Sequence, residues 1–383
     1  MQISPPGTGL FGPIARPFPG VGRIVVLRGG GVGDLVLALP AVQALAAAYP
    51  AARITLLGSA LHAALLRDRP SPIDDVAVLP PRDSRAENDL LDRIATQAVD
   101  LGVQLHGGGA WSNGFLRRTG ARWTVGSRAE GATGLTRTVA FRYYQHEMLR
   151  ALEVVGLAGA TPVTLEPSLT VTAREEAAAE RIVGASPGPI VVVHPSATDP
   201  RRRWPAGKFA EVIEHCLRAD ASVFVIGALE DRALLRDILR RVHPREAGRV
   251  RCLVGAEMSE LCGLLTRATV FVGNDSGPRH LAKALGVPTV GIFWIGNLVN
   301  AGPLNRTRDR VLTAWTTCCQ VCGSTLTDEG AHRCAHDNSI VASVATSEVC
   351  REIDEFLTAA GVVTPLRFES GLPAEVATGE GSR

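Results

Sequence analysis

Arg23-Ile24-Val25-Val26-Leu27-Arg28 runs directly into Gly29-Gly30-Gly31-Val32-Gly33-Asp34. The first six residues are mostly β-branched and apolar with no helical period, so they read as a buried strand; the glycines that follow read as a loop. From Asp34 to Tyr49, Leu35, Leu39, Val42 and Leu45 recur at helical spacing, and Pro50 closes the helix. Strand, glycine loop and helix open a βαβ unit. Further strands are predicted at 53–57, 75–79 and 99–106, with helix-length segments such as 86–98 between them. After a Pro- and Gly-containing stretch, 157–188, which carries a predicted helix at 174–183, the pattern restarts. Strands at 189–194, 222–227, 250–254, 269–273 and 288–293 then alternate with helices at 205–218, 229–242, 258–266 and 278–285. Alternating strands and helices imply an α/β fold with parallel sheets covered on both faces. A chain of 383 residues exceeds one ordinary core, so two such domains in tandem are expected, with a cleft between them. Beyond Pro365 the chain is polar and Gly/Glu-rich and reads as disordered.

Lys+Arg minus Asp+Glu is 40 − 38 = +2, which argues against a nucleic-acid binder working by charge alone. A hydrophobic fraction of 46% with 20% charged residues describes a globular chain rather than a disordered one. No apolar run is long enough to span a membrane, and residues 1–20 lack the pattern of a secretory signal, so a cytoplasmic protein is expected.

Three loops carry the chemistry. Gly29–Asp34 invites a dinucleotide reading but fails it, because the third glycine of the fingerprint would fall on Asp34 or Val36, and the strand 53–57 ends without an acidic residue. That ranks a dehydrogenase last. Asp34 is either a helix-capping acid or a carboxylate facing the cleft. His194-Pro195-Ser196-Ala197-Thr198-Asp199-Pro200-Arg201-Arg202-Arg203-Trp204-Pro205 combines hydroxyls, backbone amides and arginines ahead of a helix, the ingredients of a phosphate site. Gly273-Asn274-Asp275-Ser276-Gly277-Pro278-Arg279-His280 brings donors and acceptors together in one turn, as polyol recognition requires. No Asp-x-Asp occurs, which disfavours a carboxylate-held magnesium. The glycine-rich stretch His106–Asn113 is expected to line the acceptor side.

In this order, Gly33-Asp34 through Pro40, His194 through Pro205 and Asn274 through His280 resemble glycosyltransferase family nine, the heptosyltransferases of lipopolysaccharide core synthesis. The resemblance covers roughly residues 23–360. It implies a GT-B fold: an N-terminal extension at 1–22, a Rossmann-like acceptor domain at 23–172, and a Rossmann-like sugar-nucleotide domain at 173–363, followed by a tail at 364–383. It implies metal-independent, inverting transfer of a heptose or related sugar from a nucleoside-diphosphate donor, ADP-heptose foremost, to a hydroxyl of a glycan, small molecule or protein. Carried over by position, Asp34 is the general base. Gly33, Ser196, Thr198, Arg202 and Arg203 fall at the substrate, Ser196, Thr198 and Arg202 of these on the phosphates. Glu230 falls near the ribose, and Asp275, Ser276, Gly277 and His280 at the sugar and diphosphate. The family's usual Lys before Trp-Pro is Arg203 here, which keeps the charge but changes the donor geometry. A sugar-nucleotide epimerase or hydrolase of the same architecture, or a non-catalytic sugar-nucleotide-binding subunit, are the competing readings.

Five of the eight cysteines crowd into 318–350. Cys319 and Cys322 have a two-residue spacing that can grip one ion; Cys334 and Cys350 complete four sulfurs, with His332, His336 or Cys318 as substitutes. A structural zinc or iron site is expected there. The segment loosely resembles the Cys-rich insert of the family members that glycosylate autotransporters, where four cysteines hold iron, and a homo-oligomer is compatible with it.

Overall fold

The computed structural model describes residues 14–184, 186 and 188–360. The expected tail at 364–383 and residues 1–13 of the expected extension lie outside the described residues. The first half contains β1 (Arg23–Leu27), α1 (Val32–Ala48), β2 (Arg53–Gly58), α2 (Ala60–Leu66), β3 (Asp75–Val78), α3 (Arg85–Ala95), β4 (Leu101–Gln104), α4 (Ser112–Arg118), β5 (Trp123–Arg128), β6 (Arg137–Ala140) and α5 (Glu147–Gly156). The second half contains α6 (Ala173–Val183), β7 (Ile190–His194), α7 (Ala206–Arg218), β8 (Ser222–Gly227), α8 (Arg232–Arg241), α9 (Pro244–Ala247) and β9 (Arg251–Val254). It continues with α10 (Met258–Thr266), β10 (Val270–Asn274), α11 (Gly277–Ala284), β11 (Thr289–Trp294), α12 (Ile295–Ala301), β12 (Asp309–Ala314) and α13 (Thr346–Ala359).

Two six-stranded parallel sheets result, ordered β3-β2-β1-β4-β5-β6 and β12-β11-β10-β7-β8-β9. Counted from each sheet's first strand, the two orders are the same. In both, the chain reverses direction across the sheet beside the first strand, between β1 and β4 and between β7 and β10. That reversal opens a crevice at the carboxyl ends of the strands, where ligands of such sheets bind. Every residue of β4, β7 and β10 is buried, as expected of central strands covered on both faces.

Helix α1 is apolar nearly all round because it is covered on several sides: it packs on α5 and on α11 from the second half. Gly33 and Gly277 allow this approach. A Cβ on Gly33 would fall 2.9 Å from His280 Cδ2 and 3.3 Å from the Gly277 Cα. A buried ion pair between Arg69, just past α2, and Glu175, at the start of α6, ties the halves together again. Residues 14–22 are not a free extension: Phe18 is buried and stacks on Trp123 with ring centroids 5.1 Å apart, and its amide donates to the Tyr49 hydroxyl.

Candidate functional site

A cleft of about 1190 Å³ runs between the carboxyl ends of the two sheets, and every residue to which the sequence assigned a catalytic or substrate-binding role lines it, from Gly33 and Asp34 to Asp275 and His280. On the first wall, Gly30 takes φ +95°, a left-handed conformation that glycine adopts without strain, and turns the chain into α1. Asp34 then sits in the first turn of α1. Its Oδ2 accepts from the Gly31 amide at 2.8 Å, as a capping acid does, while its Oδ1 accepts from Arg28 Nη2 at 2.7 Å. Its side chain is 44% exposed, so capping does not remove it from the cleft. Arg28, by contrast, is buried. Its guanidinium also donates to the Leu105 carbonyl at 2.6 Å and contacts Glu147 Oε2 at 3.3 Å; Glu147 is held in turn by Arg150. The carboxylate is therefore fixed from two sides while its face stays open.

On the second wall, the loop after β7 and the start of α11 converge. Thr198 is exposed, and Arg202 and Arg203 border the cleft; Arg203 Nε donates to the Ala197 carbonyl at 2.9 Å, which fixes its stem. Ser196 is buried and its hydroxyl donates to Asp231 Oδ1 at 2.5 Å. That proton is committed inside the protein. Asp231 also caps the short turn after β8 through the Ala228 amide at 3.0 Å, while its neighbour Glu230 stands exposed at the rim. His194, buried at the end of β7, has its pKa lowered to about 4 by burial and by the charge of Arg203, with Asp231 opposing. It is neutral, and its Nδ1 lies 3.0 Å from the Ser276 hydroxyl. Asn274 braces both loops, accepting from the Trp204 amide at 3.0 Å and donating to the Pro195 carbonyl at 2.7 Å.

Asp275 is buried yet surrounded by donors and cations: Asn297 Nδ2 at 2.9 Å, His280 Nε2 at 3.3 Å and Arg202 Nη1 at 3.6 Å. Burial pushes its carboxyl pKa up, but His280, Arg279 and Arg202 outweigh burial and hold it below its ordinary value. Its negative charge orders the cationic side chains around it. The amides at the start of α11 complete an anion-accepting corner.

Of the cysteines, Cys319, Cys322 and Cys334 come together with His336, their ligand atoms all within 4.8 Å of one another. Cys319 Sγ lies 3.7 Å from His336 Nδ1. Metal–ligand bonds of about 2.3 Å to sulfur and about 2.1 Å to nitrogen place such a pair roughly 3.6 Å apart at a tetrahedral ion. Hydrogen bonds from Ser324 pull the Cys322 thiol down to about 6, toward the thiolate that a metal requires. Three thiolates and an imidazole fit a structural zinc or iron site. Cys350 is not the fourth ligand. It lies on α13, whose Val349, Ile353 and Leu357 fill the second core, and burial pushes its thiol up to about 11.

The stretch His106–Asn113 does not line the cleft. Asn113 is instead buried, bonding Gln104 at 2.8 Å and the Thr133 carbonyl at 2.9 Å, and holds its own loop closed. Arg28, Glu147, Asp231 and Asn297 are the site residues that the motifs did not single out. Only Arg28 left a signal, as a charged residue at the end of an otherwise apolar strand.

Among the described residues no helix is long and apolar enough to cross a membrane. Residues 90–329 match the model of glycosyltransferase family 9 (heptosyltransferase). Lipopolysaccharide heptosyltransferase 2 of Salmonella typhimurium is 27% identical over 111 residues, 28% of this chain and 32% of that protein, so the match spans about a third of the relative. Among solved structures, ADP-heptose LPS heptosyltransferase II of E. coli superposes with a TM-score of 0.71 at 18% identity, covering 88% of this chain and 99% of that one. The dodecameric iron-containing heptosyltransferase TibC, solved with ADP-D-β-D-heptose, does so at 0.56 and 15% identity, covering 90% of this chain and 78% of the other. These likenesses show the shared two-sheet GT-B fold, and the family match over well more than half of its length shows that this chain belongs to glycosyltransferase family 9.

Proposed function

We propose that the protein transfers a heptose or related sugar from a nucleoside-diphosphate donor, ADP-heptose foremost, to an acceptor hydroxyl with inversion at the anomeric carbon. The observation that carries this reading is the meeting of two unlike walls in one cleft: an exposed, anchored carboxylate on one, an anion-accepting corner on the other. Asp34 accepts the acceptor's proton as its oxygen attacks the anomeric carbon. The bond to the diphosphate breaks on the opposite face, and the negative charge that develops there meets Arg202, Arg203, Thr198 and the amides of Ser276 and Gly277. Glu230 receives the ribose hydroxyls, and Asp275 and His280 orient the sugar. Ser196 contributes by holding Asp231 and the loop, since its proton is already used. The names of the solved relatives, which include ADP-heptose and its transferases, support the choice of donor. The acceptor is a glycan, a small molecule or a protein.

Cys319, Cys322, Cys334 and His336 hold a structural zinc or iron. Bound there, the ion supplies cross-linking rather than chemistry, because four protein ligands leave no open position. The iron-containing relative supports iron as one candidate, and its dodecameric state supports a homo-oligomer. Reduced thiols of this kind suit the cytoplasm, where we place the protein.

Asp34→Asn tests the reading. ADP affinity measured by calorimetry should stay within a few fold, while sugar transfer falls by at least about a hundredfold. Normal turnover in this variant would reduce Asp34 to a helix cap.

A further inference from the structure

The Cys-rich segment touches the phosphate loop, and the contacts are specific. The Ile340 amide donates to the Arg201 carbonyl at 2.8 Å, and the Ser339 hydroxyl donates to the Arg203 carbonyl at 2.7 Å. These two carbonyls flank Arg202, which borders the cleft and faces Asp275. Asp199, at the start of the same turn, is gripped by Arg201 at 2.7 Å and lies 3.7 Å from Arg333, the residue before Cys334.

What holds the segment is less substantial. Between β12 and α13 it has no helix or strand beyond a single bridge, Cys318 to Thr325. The turn at 317–326 is closed by its own backbone bonds, Cys319 to Ser324 and Leu326 to Thr317 among them. No backbone hydrogen bond joins that turn to 328–338 among the described residues. Residues 320–323 and 328–330 are exposed, so burial does not fix their path either. The convergence of Cys334 and His336 on Cys319 and Cys322 sets the path by which the chain reaches Ser339, while Ile340 and Val341, buried in the second core, anchor it beyond.

Charge points the same way. A divalent ion with three thiolates and a neutral imidazole carries a net charge of −1. Arg201 lines the small space against Cys319, Cys334 and His336, where its guanidinium can offset that charge.

We infer that metal occupancy at Cys319, Cys322, Cys334 and His336 sets the affinity of the cleft for diphosphate, by fixing Ser339 against the Asp199–Arg203 turn. The ion acts as a positioning element for Arg202 and Arg203 from outside the cleft. Because linkage is reciprocal, a bound diphosphate must tighten the metal by the same factor. The inference rests on the donor-site reading above.

The test uses full-length protein and two probes, ADP and inorganic pyrophosphate, so that the identity of the base does not decide the result. Calorimetry should show roughly tenfold weaker binding of both probes to folded, metal-free Cys322→Ser than to the metal-loaded protein, with adenosine affected far less. In the metal-loaded protein, saturating pyrophosphate should slow loss of the ion to a chelator, a readout independent of activity. Ser339→Ala guards against a folding defect in the cysteine variant: it should retain a full complement of metal and still bind pyrophosphate a few fold more weakly. Equal affinities with and without metal, together with a chelation rate indifferent to pyrophosphate, would overturn the inference and leave the donor site standing. A metal-loaded protein that binds neither probe would instead remove the donor-site reading, and this inference with it. Protein that takes up no zinc or iron at all would refute the inference directly.

Discussion

Arg28 and His194 occupy corresponding places in the two sheets, each at the carboxyl end of the first strand, yet the two halves use the position in opposite ways. Arg28 is a buried cation that anchors a carboxylate, Asp34, and leaves it facing the cleft. His194 is a buried neutral ring that anchors a hydroxyl, Ser276, where an anion is to be received. The same strand order therefore builds a proton-accepting wall and an anion-accepting wall. Topology supplies the place, and the buried residue behind the loop sets the charge in front of it.

The comparison breaks first with acid. Unfolded, the His194 imidazole titrates near 6.5; burial in the fold lowers this to about 4. The unfolded chain thus binds more protons between these values, and stability contributed by the neutral ring is intact above pH 6.5 and lost as pH falls toward 4. The shift corresponds to roughly 3 kcal/mol. Urea unfolding across this window should show that loss, and His194→Gln should flatten it. An equally steep dependence in the variant would assign the acid sensitivity to other groups.

On the opposite wall, Arg28→Met leaves Asp34 held by the Gly31 amide alone. A carboxylate free to swing about 1 Å can cost on the order of a hundredfold in turnover. Steady-state kinetics should show kcat falling while ADP affinity is preserved, and restoration by Arg28→Lys would identify charge rather than geometry as the important property.

Arg202→Ala separates the parts of the donor. Loss of a charge-assisted contact should weaken ADP binding by roughly 1.5–3 kcal/mol while adenosine binding changes little. Equal losses for both ligands would move Arg202 off the phosphates. Smallest is Glu230→Ala, at the exposed rim, where one hydrogen bond to the ribose is worth about 1 kcal/mol. Competition with 2′-deoxy-ADP should abolish the difference between wild type and variant.

Much of this was legible along the chain. The strands at Arg23–Leu27, Ile190–His194 and Ser222–Gly227 and the helix Met258–Thr266 fall within a residue of where their apolar patterns put them, because a short β-branched run between turn residues has few other ways to be buried. Trp123–Arg128, Arg137–Ala140 and Asp309–Ala314 were not visible as strands. The last two lie at sheet edges, are only partly buried, and carry arginine or threonine among their apolar residues, so no period announces them. Between the adjacent acids Glu230 and Asp231, nothing local says which turns inward. The 3₁₀ turn decides, sending Asp231 to Ser196 and Glu230 to the rim.

By itself, then, the sequence determined two tandem parallel α/β units, three loops at strand ends and a cluster of sulfur ligands, because spacing along a chain dictates periodicity, caps and turns. Only the tertiary structure decided who meets whom. Arg28 finds Glu147 across 119 residues, Asn274 braces the loop at Pro195, and His336 takes the place that spacing had given to Cys350. The physical reason is the helical period of α13: Val349, Ile353 and Leu357 must face the core, and that requirement carries Cys350 away from Cys319, Cys322 and Cys334, whatever its distance in sequence.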